Sequence, residues 1–440
     1  MTAPSPLLTL HQRDDALLEP YGPPDRGILL VQTFSNPDLE YAAIRRGSAL
    51  IDLPHRATLE VTGADRLDFL GRMLTQELKD LAHFSSRSAF WLSRKGRIDA
   101  DLRLTCLPDR ILIDLDAHAA DRALKGLSAY IITEDCAVAD RSALLHRLAL
   151  HGPSAPALLH HASTPVAGDP VLDLQPGRSS IIHIAGADIT IDRDDQTGDP
   201  GLFLTLPSTH AQAVWTALLA LGFPPSPTPP RLPPSHRPSS PPFHLRPIGW
   251  AAFNIARIEA GAPLYYLDFG PDSLPHETSL LDSRVSFTKG CYLGQEIVAR
   301  MQALGAPKQR LVSLRLPAPT PPQTTDPTAD ADLLIAPQPV TGAAIFLPPA
   351  TPSAPPAPPA PPAPPADAAA NPAAPSPASC GDPIGAITSS AISPMLGGSP
   401  ICLAMLKSAA IQPGRRVLVE CEGTLRPATI QPTLRSWSRP

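Results

Sequence analysis

Cysteine is scarce in this sequence, and its few cysteines are not spaced for a shared structural task. Six of them are spread over 440 residues, and none forms a CxxC pair. This spacing excludes the disulfide framework of a small secreted domain and gives no support to a zinc ribbon or a thioredoxin-like redox site. An iron–sulfur cluster ligated by this chain alone is not expected either. The cysteines are Cys106, Cys136, Cys291, Cys380, Cys402 and Cys421.

Excess positive charge and long apolar runs are also missing. Lysine and arginine number 36 against 41 acidic residues, which gives a formal net charge of −5. A nucleic-acid partner is therefore not expected, because no net positive charge is available to neutralise phosphates. A membrane partner is not expected, because no run approaches the ~18 apolar residues of a spanning helix. The first twenty residues lack the pattern of a secretory signal and contain acids, so we expect a cytoplasmic location and disfavour the mitochondrial matrix.

What the chain has in excess is proline, with 58 residues. Ten prolines fall within residues 224–242 and fourteen within residues 348–379. Because proline lacks an N–H donor and fixes φ, neither segment can form a central strand or a helix interior, and both are expected to be extended spacers. A docking site for a proline-recognising domain is one interpretation. A tolerated insertion in a surface loop is the simpler one.

The hydrophobic periodicity of the remaining chain predicts an α+β fold. Strands and helices are mixed without regular βαβ alternation, so a doubly wound sheet is not expected. No glycine-rich phosphate-binding motif is present, which leaves nucleotide binding by such a loop without support. The predicted strands are Ala57–Val61, Ile98–Thr105, Ile111–Leu115 and Ile181–Ile184, then Leu311–Leu316, Ile384–Thr388, Ile401–Met405 and Val417–Glu420. The predicted helices are Gly63–Leu78 and Pro207–Leu221.

These patterns divide the chain into successive regions. Short strands at regular spacing near its end favour a small β-barrel or sandwich. The predicted regions are an N-terminal tail (1–24), an α+β region (25–222), a proline-rich linker (223–247), a motif segment (248–310) and a C-terminal β-barrel (311–440) with a proline-rich loop (348–379).

The most informative segment is Val285–Arg300, VSFTKGCYLGQEIVAR, which predicts a strand, a turn and then a helix over Gln295–Leu304. Glu296 and Arg300 have the i, i+4 spacing of an ion pair on that helix. Gly290 and Gly294 permit backbone conformations that other residues avoid. Cys291 lies between the strand and the helix, and a nearby cation or a helix N-terminus lowers the pKa of a thiol. Cys291 is therefore either a reactive thiolate or a small buried thiol beside a lysine that only pairs with an acid.

Two further segments carry candidate polar groups. Arg257 lies within NIARIEAGAPLYYLD, where it either clamps a carboxylate ligand or forms an ordinary surface ion pair. Asp99 and Asp101 lie in SRKGRIDADL and share one face of a predicted strand. Asp101 is either a half-buried carboxylate that binds an N–H donor or acts as a base, or an exposed acid on an edge strand.

At these residues the chain resembles a known family. KGCYLGQE, preceded by RIEAG about thirty residues earlier, resembles the YgfZ-type folate-binding branch of the aminomethyltransferase superfamily, which also contains the glycine-cleavage T-protein. Other segments agree in order: ALIDLPHRATLEVTG, SRKGRIDADL, IGWAAFN, LPHE and ITSSAISPML. The similarity covers most of the chain outside its proline-rich segments, and KGCYLGQE is the most specific part.

The resemblance implies a three-lobed fold around a central folate pocket, with a β-barrel as the C-terminal lobe. Arg257 would help to hold tetrahydrofolate or a derivative, and Asp101 falls at a pterin-contacting carboxylate of the T-protein. Cys291 matches the characteristic cysteine of the branch, with a functional but chemically unsettled role. The loop that borders the pocket would contribute Lys289, Tyr292, Gln295 and Glu296.

One departure bears on the activity. The T-protein has a GYTGExGxE-like stretch with a pterin-facing glutamate, whereas the corresponding region here, residues 190–206, lacks it. Glycine cleavage is therefore not expected, although the framework is that of an enzyme. The resemblance implies a tetrahydrofolate-binding accessory factor for assembly or repair of iron–sulfur proteins. A folate-dependent aminomethyl or one-carbon transferase and a non-catalytic scaffold using the proline-rich tract are the alternatives.

Overall fold

The computed structural model describes residues 4–23, 27–222, 243–318, 337–349 and 380–436. The contacts among them define two units, the first ending at Pro307 and the second beginning at Lys308. Two large sheets with separate apolar cores form the first unit, together with a short two-stranded hairpin, and a closed barrel forms the second. The predicted α+β class and the predicted C-terminal β-barrel are confirmed.

The strands and helices are numbered in chain order. The strands are β1 (Leu17–Pro20), β2 (Leu29–Thr33), β3 (Ser48–Asp52), β4 (Arg56–Thr62), β5 (Ser85–Leu92), β6 (Ile98–Cys106), β7 (Arg110–Asp116), β8 (Ala137–Asp140), β9 (Leu145–His151), β10 (Thr164–Gly168), β11 (Ser179–Ile184), β12 (Ala187–Arg193), β13 (Gly201–Pro207), β14 (Leu245–Pro247), β15 (Gln309–Arg315), β16 (Ala344–Phe346), β17 (Gly385–Ser393), β18 (Ser399–Lys407), β19 (Arg416–Cys421) and β20 (Thr424–Ile430). The α-helices are α1 (Leu8–Arg13), α2 (Pro37–Arg46), α3 (Arg66–Met73), α4 (Ala117–Ser128), α5 (Ala155–Ala162), α6 (Ala211–Gly222), α7 (Trp250–Ala260), α8 (Leu281–Arg284) and α9 (Gln295–Leu304).

The five-stranded sheet of the first unit has the order β5-β6-β7-β4-β8, and all its pairs are antiparallel. Along the first half of β6 the burial alternates, so Ile98, Ala100 and Leu102 are buried while Asp99 and Asp101 are half-buried. This is the period of two that a strand with one face on a core requires. Helix α4 packs against this core, and the Asp116 carboxylate caps its start by accepting from the backbone N–H of His118.

The seven-stranded sheet has the order β10-β11-β12-β13-β9-β3-β14. Strand β14 pairs with β3 in parallel, whereas the other neighbours are antiparallel. The core of this sheet includes Leu158 of α5 and Trp215 of α6. Helix α6 overlaps the predicted helix Pro207–Leu221 from Ala211 onward and ends one residue beyond it, which confirms a helix in this segment.

Two predictions about the first 80 residues are corrected by the structure. The segment 1–24 is not a simple tail, because Leu7 is fully buried and His11 of α1 packs between Phe34 and Trp215. The predicted helix Gly63–Leu78 forms only over α3. It ends there because Leu74 adopts an extended backbone and forms a β-bridge with Trp91.

The barrel of the second unit has the strand order β15-β18-β17-β16-β19-β20. It closes where β20 pairs with β15, with Leu314 opposite Ile430. The predicted strands of this region are confirmed, since they coincide with parts of β15, β17, β18 and β19. The predicted proline-rich spacers lie outside the described residues, except for Pro348 and Pro349.

Candidate functional site

A polar cavity of about 250 Å³ lies in the first unit. Its walls come from segments far apart in the sequence, and charged side chains dominate them. The lining residues are Arg56, Ser88, Asp101, Leu102, Arg103, Asp114, Asp194, Asp195, Gln196, Gly261, Ala262, Pro263, Leu264, Tyr265, Leu280 and Arg284. A concave site with convergent polar groups is the usual form of a small-molecule site.

Asp101 projects into this cavity from β6. It lies on the half-buried face of the strand, and its Oδ1 accepts from Nε of Arg284 at 3.0 Å. Strand β6 lies between β5 and β7, so the alternative of an exposed acid on an edge strand is wrong. The carboxylate is 17% exposed, which leaves part of it open to a ligand.

A second ion cluster forms another part of the wall. Arg56 donates from Nη2 and Nε to the two oxygens of Asp114 at 2.7 and 3.1 Å, and Nε of Arg147 lies 3.2 Å from the same carboxylate. Burial raises the pKa of Asp114, but the two arginines outweigh it, so the net shift is downward. Asp114 is therefore a fixed negative charge at neutral pH.

The third wall is the loop after β12. Asp194 and Asp195 lie in this loop. Burial raises the pKa of Asp194, but the positive charge of Arg103 lowers it by more, so the net shift is downward. Buried Arg45 of α2 donates from Nη1 to the carbonyl oxygen of Thr197 at 2.6 Å and to Asp199 at 2.8 Å. These bonds fix the far end of the loop.

The fourth wall, residues 261–265, follows α7. Gly261 ends the helix in the left-handed conformation with φ +70°, and buried Arg257 one turn earlier forms an ion pair with Asp268. Asp268 also accepts from the backbone N–H of Leu264 at 2.9 Å. Arg257 does not line the cavity, and in this structure its guanidinium holds the loop that does.

The two interpretations of Arg257 from the sequence both assumed an accessible side chain. Arg257 is instead 1% exposed and Glu259 is fully buried, so the ordinary surface ion pair is wrong. The two residues face different partners on α7, because Glu259 binds Arg45 and Tyr41. The role of Arg257 in holding folate stays a prediction, and the structure gives it an indirect route through the loop 261–265.

The segment with the KGCYLGQE motif folds differently from its prediction. Val285 begins no strand, whereas α9 begins at Gln295 as predicted, directly after Gly294 with φ +81°. Cys291 is a free and exposed thiol, so the alternative of a buried structural thiol is wrong. Its exposure fits a functional role but does not by itself assign one.

Lys289 is held away from solvent by backbone carbonyls. Its Nζ donates to the carbonyl oxygens of Gly71, Leu74 and Gln76 at 2.6, 2.6 and 2.9 Å. Burial lowers the pKa of this amine to about 8. The lysine therefore ties the motif segment to the C-terminal end of α3, where a helix favours a cation.

The remaining motif residues differ in exposure. Tyr292 is buried in the apolar core, Gln295 is half-buried, and Glu296 is exposed without an ion pair to Arg300 among the described residues. None of the predicted motif residues lines the polar cavity. From this part of the chain the cavity receives Leu280 and Arg284, and the predicted contacts of the motif with folate stay predictions.

Sequence reasoning missed Arg56, Arg284 and Asp114. Asp114 carried a usable signal, because an acid inside the apolar strand ILIDLD must find a buried partner. Arg284 carried none, since it lies 183 positions from Asp101. Among the described residues, no group of three or more histidine, cysteine, aspartate or glutamate side chains is arranged to hold a metal ion. No helix in the described part of the chain is long and apolar enough to cross a membrane.

Two family models match this chain in sequence. Residues 25–227 match the GCVT N-terminal domain, and residues 372–434 match the glycine cleavage T-protein C-terminal barrel domain. The first match contains both sheets of the first unit except β14, and the second contains most of the barrel strands. The chain therefore carries both domains in N-to-C order.

Curated relatives show the same similarity at low identity. An aminomethyltransferase of Halalkalibacterium halodurans is 25% identical over 314 residues, which cover 71% of this chain and 78% of the relative. An aminomethyltransferase of Herpetosiphon aurantiacus is 28% identical over 278 residues, which cover 63% of this chain and 69% of the relative.

A solved structure extends the similarity to the fold. The crystal structure of the glycine cleavage system aminomethyltransferase T from Bartonella henselae superposes with a TM-score of 0.73 at 22% identity, covering 99% of this chain and 98% of that one. At this identity the superposition shows a shared fold. The two family matches support the aminomethyltransferase superfamily, and the superposition shows that the fold is shared.

Proposed function

We propose that this protein binds tetrahydrofolate and serves as an accessory factor in the assembly or repair of iron–sulfur proteins. The observation that carries folate binding is the Asp101–Arg284 pair on the wall of the polar cavity. The accessory role rests on the KGCYLGQE motif and on the exposed thiol of Cys291.

The cavity suits the polar ring of a folate. A pterin presents N–H donors beside a carbonyl acceptor, and the cavity offers carboxylates of Asp101 and Asp194 together with the guanidinium of Arg284. Ionised carboxylates accept N–H bonds strongly, and a guanidinium donates to carbonyl oxygens. These residues would hold the ring, while the tail would extend from the cavity into solvent.

Binding is tested by titration calorimetry of tetrahydrofolate against the intact protein and Asp101→Asn. The neutral amide keeps the shape of the side chain but loses the charge, so we expect at least tenfold weaker binding, about 1.4 kcal/mol or more. Asp109→Asn is the matched control, because Asp109 is an exposed acid outside the cavity. Equal affinity of all three proteins would remove Asp101 from the site.

Arg257→Ala is predicted to weaken tetrahydrofolate binding by roughly 1–3 kcal/mol. In this structure the effect would come from release of the loop 261–265, since Asp268 would lose its buried partner. The unfolding midpoint of the variant is measured beside its affinity. A folded variant with unchanged affinity would show that neither Arg257 nor the loop it holds contributes to the site.

The accessory role is tested in cells with Cys291→Ala. Because the thiol is exposed, the substitution should leave the fold intact while reducing the activity of [4Fe–4S] enzymes such as aconitase. Cys380→Ala controls for loss of a cysteine elsewhere in the chain, since Cys380 is half-buried in the second unit. Normal aconitase activity in the Cys291→Ala strain would overturn the accessory role and leave folate binding untouched.

A folate-dependent aminomethyl or one-carbon transferase is the second candidate function. It is favoured by the similarity to proteins named aminomethyltransferases and by the carboxylates on the cavity wall. The assay measures methylene-tetrahydrofolate formed from an aminomethyl donor by the purified protein. No turnover above background would remove this candidate, whereas turnover lost in Asp101→Asn would support it over the accessory role.

A further inference from the structure

A second and larger cavity, of about 590 Å³, lies in the first unit beside the hairpin of β1 and β2. Its lining is mostly apolar and aromatic, and it shares no residue with the polar cavity. The lining residues are Glu19, Pro20, Tyr21, Gly22, Pro23, Leu30, Gln32, His118, Trp250, Tyr266 and Leu267.

Four aromatic side chains line this space and pack against one another. Tyr21 and His118 stack with their centroids 5.3 Å apart, and Tyr266 meets His118 edge-on at 6.1 Å. Trp250 meets Tyr21 edge-on at 6.4 Å. The four rings come from the hairpin, α4, α7 and the loop after α7, so folding brings them together from four segments.

Apart from His118, the acidic and basic side chains among the lining residues of this cavity amount to one carboxylate, while Arg122, which does not line it, donates from Nη2 to the hydroxyl of Tyr266 at 2.8 Å. Glu19 is its only lining carboxylate, no lysine or arginine lines it, and the described residues offer Glu19 no ion pair. Tyr21 donates its hydroxyl to the buried carboxylate of Asp116 at 2.5 Å, which enriches the electron density of its ring. Nε2 of His118 donates to the carbonyl oxygen of Tyr21 at 3.2 Å.

We propose that this cavity binds a small methylated ammonium compound. Aromatic faces attract an organic cation through their quadrupoles, and trimethylammonium groups are recognised by cages of such rings. The carboxylate of Glu19 adds an attraction that a neutral ligand of the same shape would not feel. The site does not depend on folate binding, because it is built from different residues.

The two cavities meet at neighbouring tyrosines. Tyr265 lines the polar cavity and Tyr266 lines the aromatic one, with their ring centroids 4.4 Å apart. The hydroxyl of Tyr265 donates to the carbonyl oxygens of Ile98 and Asp99 at 2.9 and 3.0 Å, which holds this partition in place. A ligand in the aromatic cavity therefore need not displace a ligand from the polar one.

The test compares choline with 3,3-dimethyl-1-butanol, its neutral isostere, on the intact protein. Saturation-transfer NMR on the methyl signals detects binding, and calorimetric titration measures the affinity. We expect choline to bind at least tenfold more tightly than the alcohol. Equal binding of the two compounds would show an apolar cavity without cation recognition and would overturn the proposal, as would no binding of choline.

Two variants assign choline to this cavity. Trp250→Leu removes one ring face, and Glu19→Gln removes the charge from an exposed side chain without a packing role. Each should weaken choline at least fivefold, and Glu19→Gln should leave the alcohol unchanged. Asp109→Asn is the control for loss of an unrelated surface charge. Unchanged choline affinity in Glu19→Gln would overturn the proposal even if Trp250→Leu failed to fold.

Tetrahydrofolate affinity is the readout that separates this inference from the proposed function. Glu19→Gln should bind tetrahydrofolate as tightly as the unaltered protein, and Asp101→Asn should bind choline normally. Loss of choline binding in Asp101→Asn would place choline in the polar cavity and contradict the aromatic site.

Discussion

His151 at the end of β9 is a buried histidine that the proposed site does not use. Its side chain is fully buried, and its ring lies 5.5 Å from those of Phe203 and Phe253. Neither ring nitrogen has a hydrogen-bond partner among the described residues. Burial lowers its pKa from 6.5 to about 4, so the folded protein holds this imidazole neutral at the pH of the cell.

This histidine should make stability depend on pH. Between pH 6.5 and 4 the unfolded chain takes up a proton at His151 that the folded chain does not, so the free energy of unfolding falls as the pH falls. The full effect is about 3 kcal/mol. We expect His151→Phe to lose less stability than the unaltered protein between pH 7 and pH 4.5, measured by urea unfolding. His160→Phe, at an exposed position, should keep the original pH dependence, and equal slopes in all three proteins would refute the assignment.

At the scale of elements, the start of α9 depends on one glycine. Gly294 has φ +81°, and a Cβ added there would lie 2.7 Å from the carbonyl oxygen of Ser93. Gly290, four residues earlier, has no positive φ, and a Cβ there would meet no heavy atom within 4 Å. The same role in the turn was predicted for both glycines, and only Gly294 has it.

The two glycines make a matched pair of substitutions. Gly294→Ala should lower the free energy of unfolding by about 1–3 kcal/mol, because alanine resists the left-handed conformation and its Cβ meets fixed backbone. Gly290→Ala should change it by less than about 0.5 kcal/mol. Denaturant unfolding of both variants measures the difference. A loss of stability of similar size in both would mean that the turn has another conformation.

Helices and strands were predictable where the pattern of apolar residues within one segment decided the element type. Strand signals over Ile98–Thr105 and Ile111–Leu115 identified β6 and β7, and the helix signal over Pro207–Leu221 identified α6. The local pattern failed to predict the structure at Leu74 and Val285. At both positions the apolar side chain packs against a distant segment instead of continuing the predicted helix or strand. Leu74 shows the reason, since its β-bridge to Trp91 cannot be read from its neighbours in sequence.

The polar cavity was less predictable than the elements around it. Asp101 could be selected because an acid among apolar strand residues needs a partner. That partner, Arg284, and the buried pair Arg45–Glu259 join residues 183 and 214 positions apart. Nothing local in a single sequence marks such pairs, and only the folded chain shows which wall each side chain reaches.

At the scale of the whole first unit, Arg45 connects two walls of the cavity. Its guanidinium binds Asp199 at the far end of the loop after β12 and Glu259 on α7, and all three side chains are buried. Removing the arginine would leave two buried carboxylates without their cation. Such a loss costs about 3–5 kcal/mol in general.

We expect Arg45→Ala to be strongly destabilised and Arg46→Ala to be nearly unchanged. Arg46 is the adjacent residue on α2 and is exposed, so it controls for loss of an arginine in the same helix. Urea unfolding at pH 7 measures both. If the two variants unfolded at the same urea concentration, the buried cluster would contribute no net stability and Arg45 would not hold the walls together.

The role of the proline-rich tract 348–379 can be tested by replacing it, because the strands on its two sides belong to one barrel. Strands β16 and β17 on its two sides are antiparallel neighbours, with Ile345 opposite Gly385, so the chain leaves and re-enters the barrel at adjacent points. A short Gly/Ser segment can therefore replace the tract without stretching the barrel. The free-energy cost of closing a loop falls by only about 0.6 kcal/mol with each halving of its length. The unfolding midpoint of the shortened protein should therefore be unchanged or slightly higher.

The functional outcome of that replacement decides between a spacer and a docking segment. We expect the shortened protein to bind tetrahydrofolate normally and to complement a null strain fully. A variant of native length with the prolines of the tract changed to serine separates sequence from length. If both variants fold but fail to complement, proline recognition by a partner becomes the better account of the tract; if only the shortened one fails, the tract acts through its length alone.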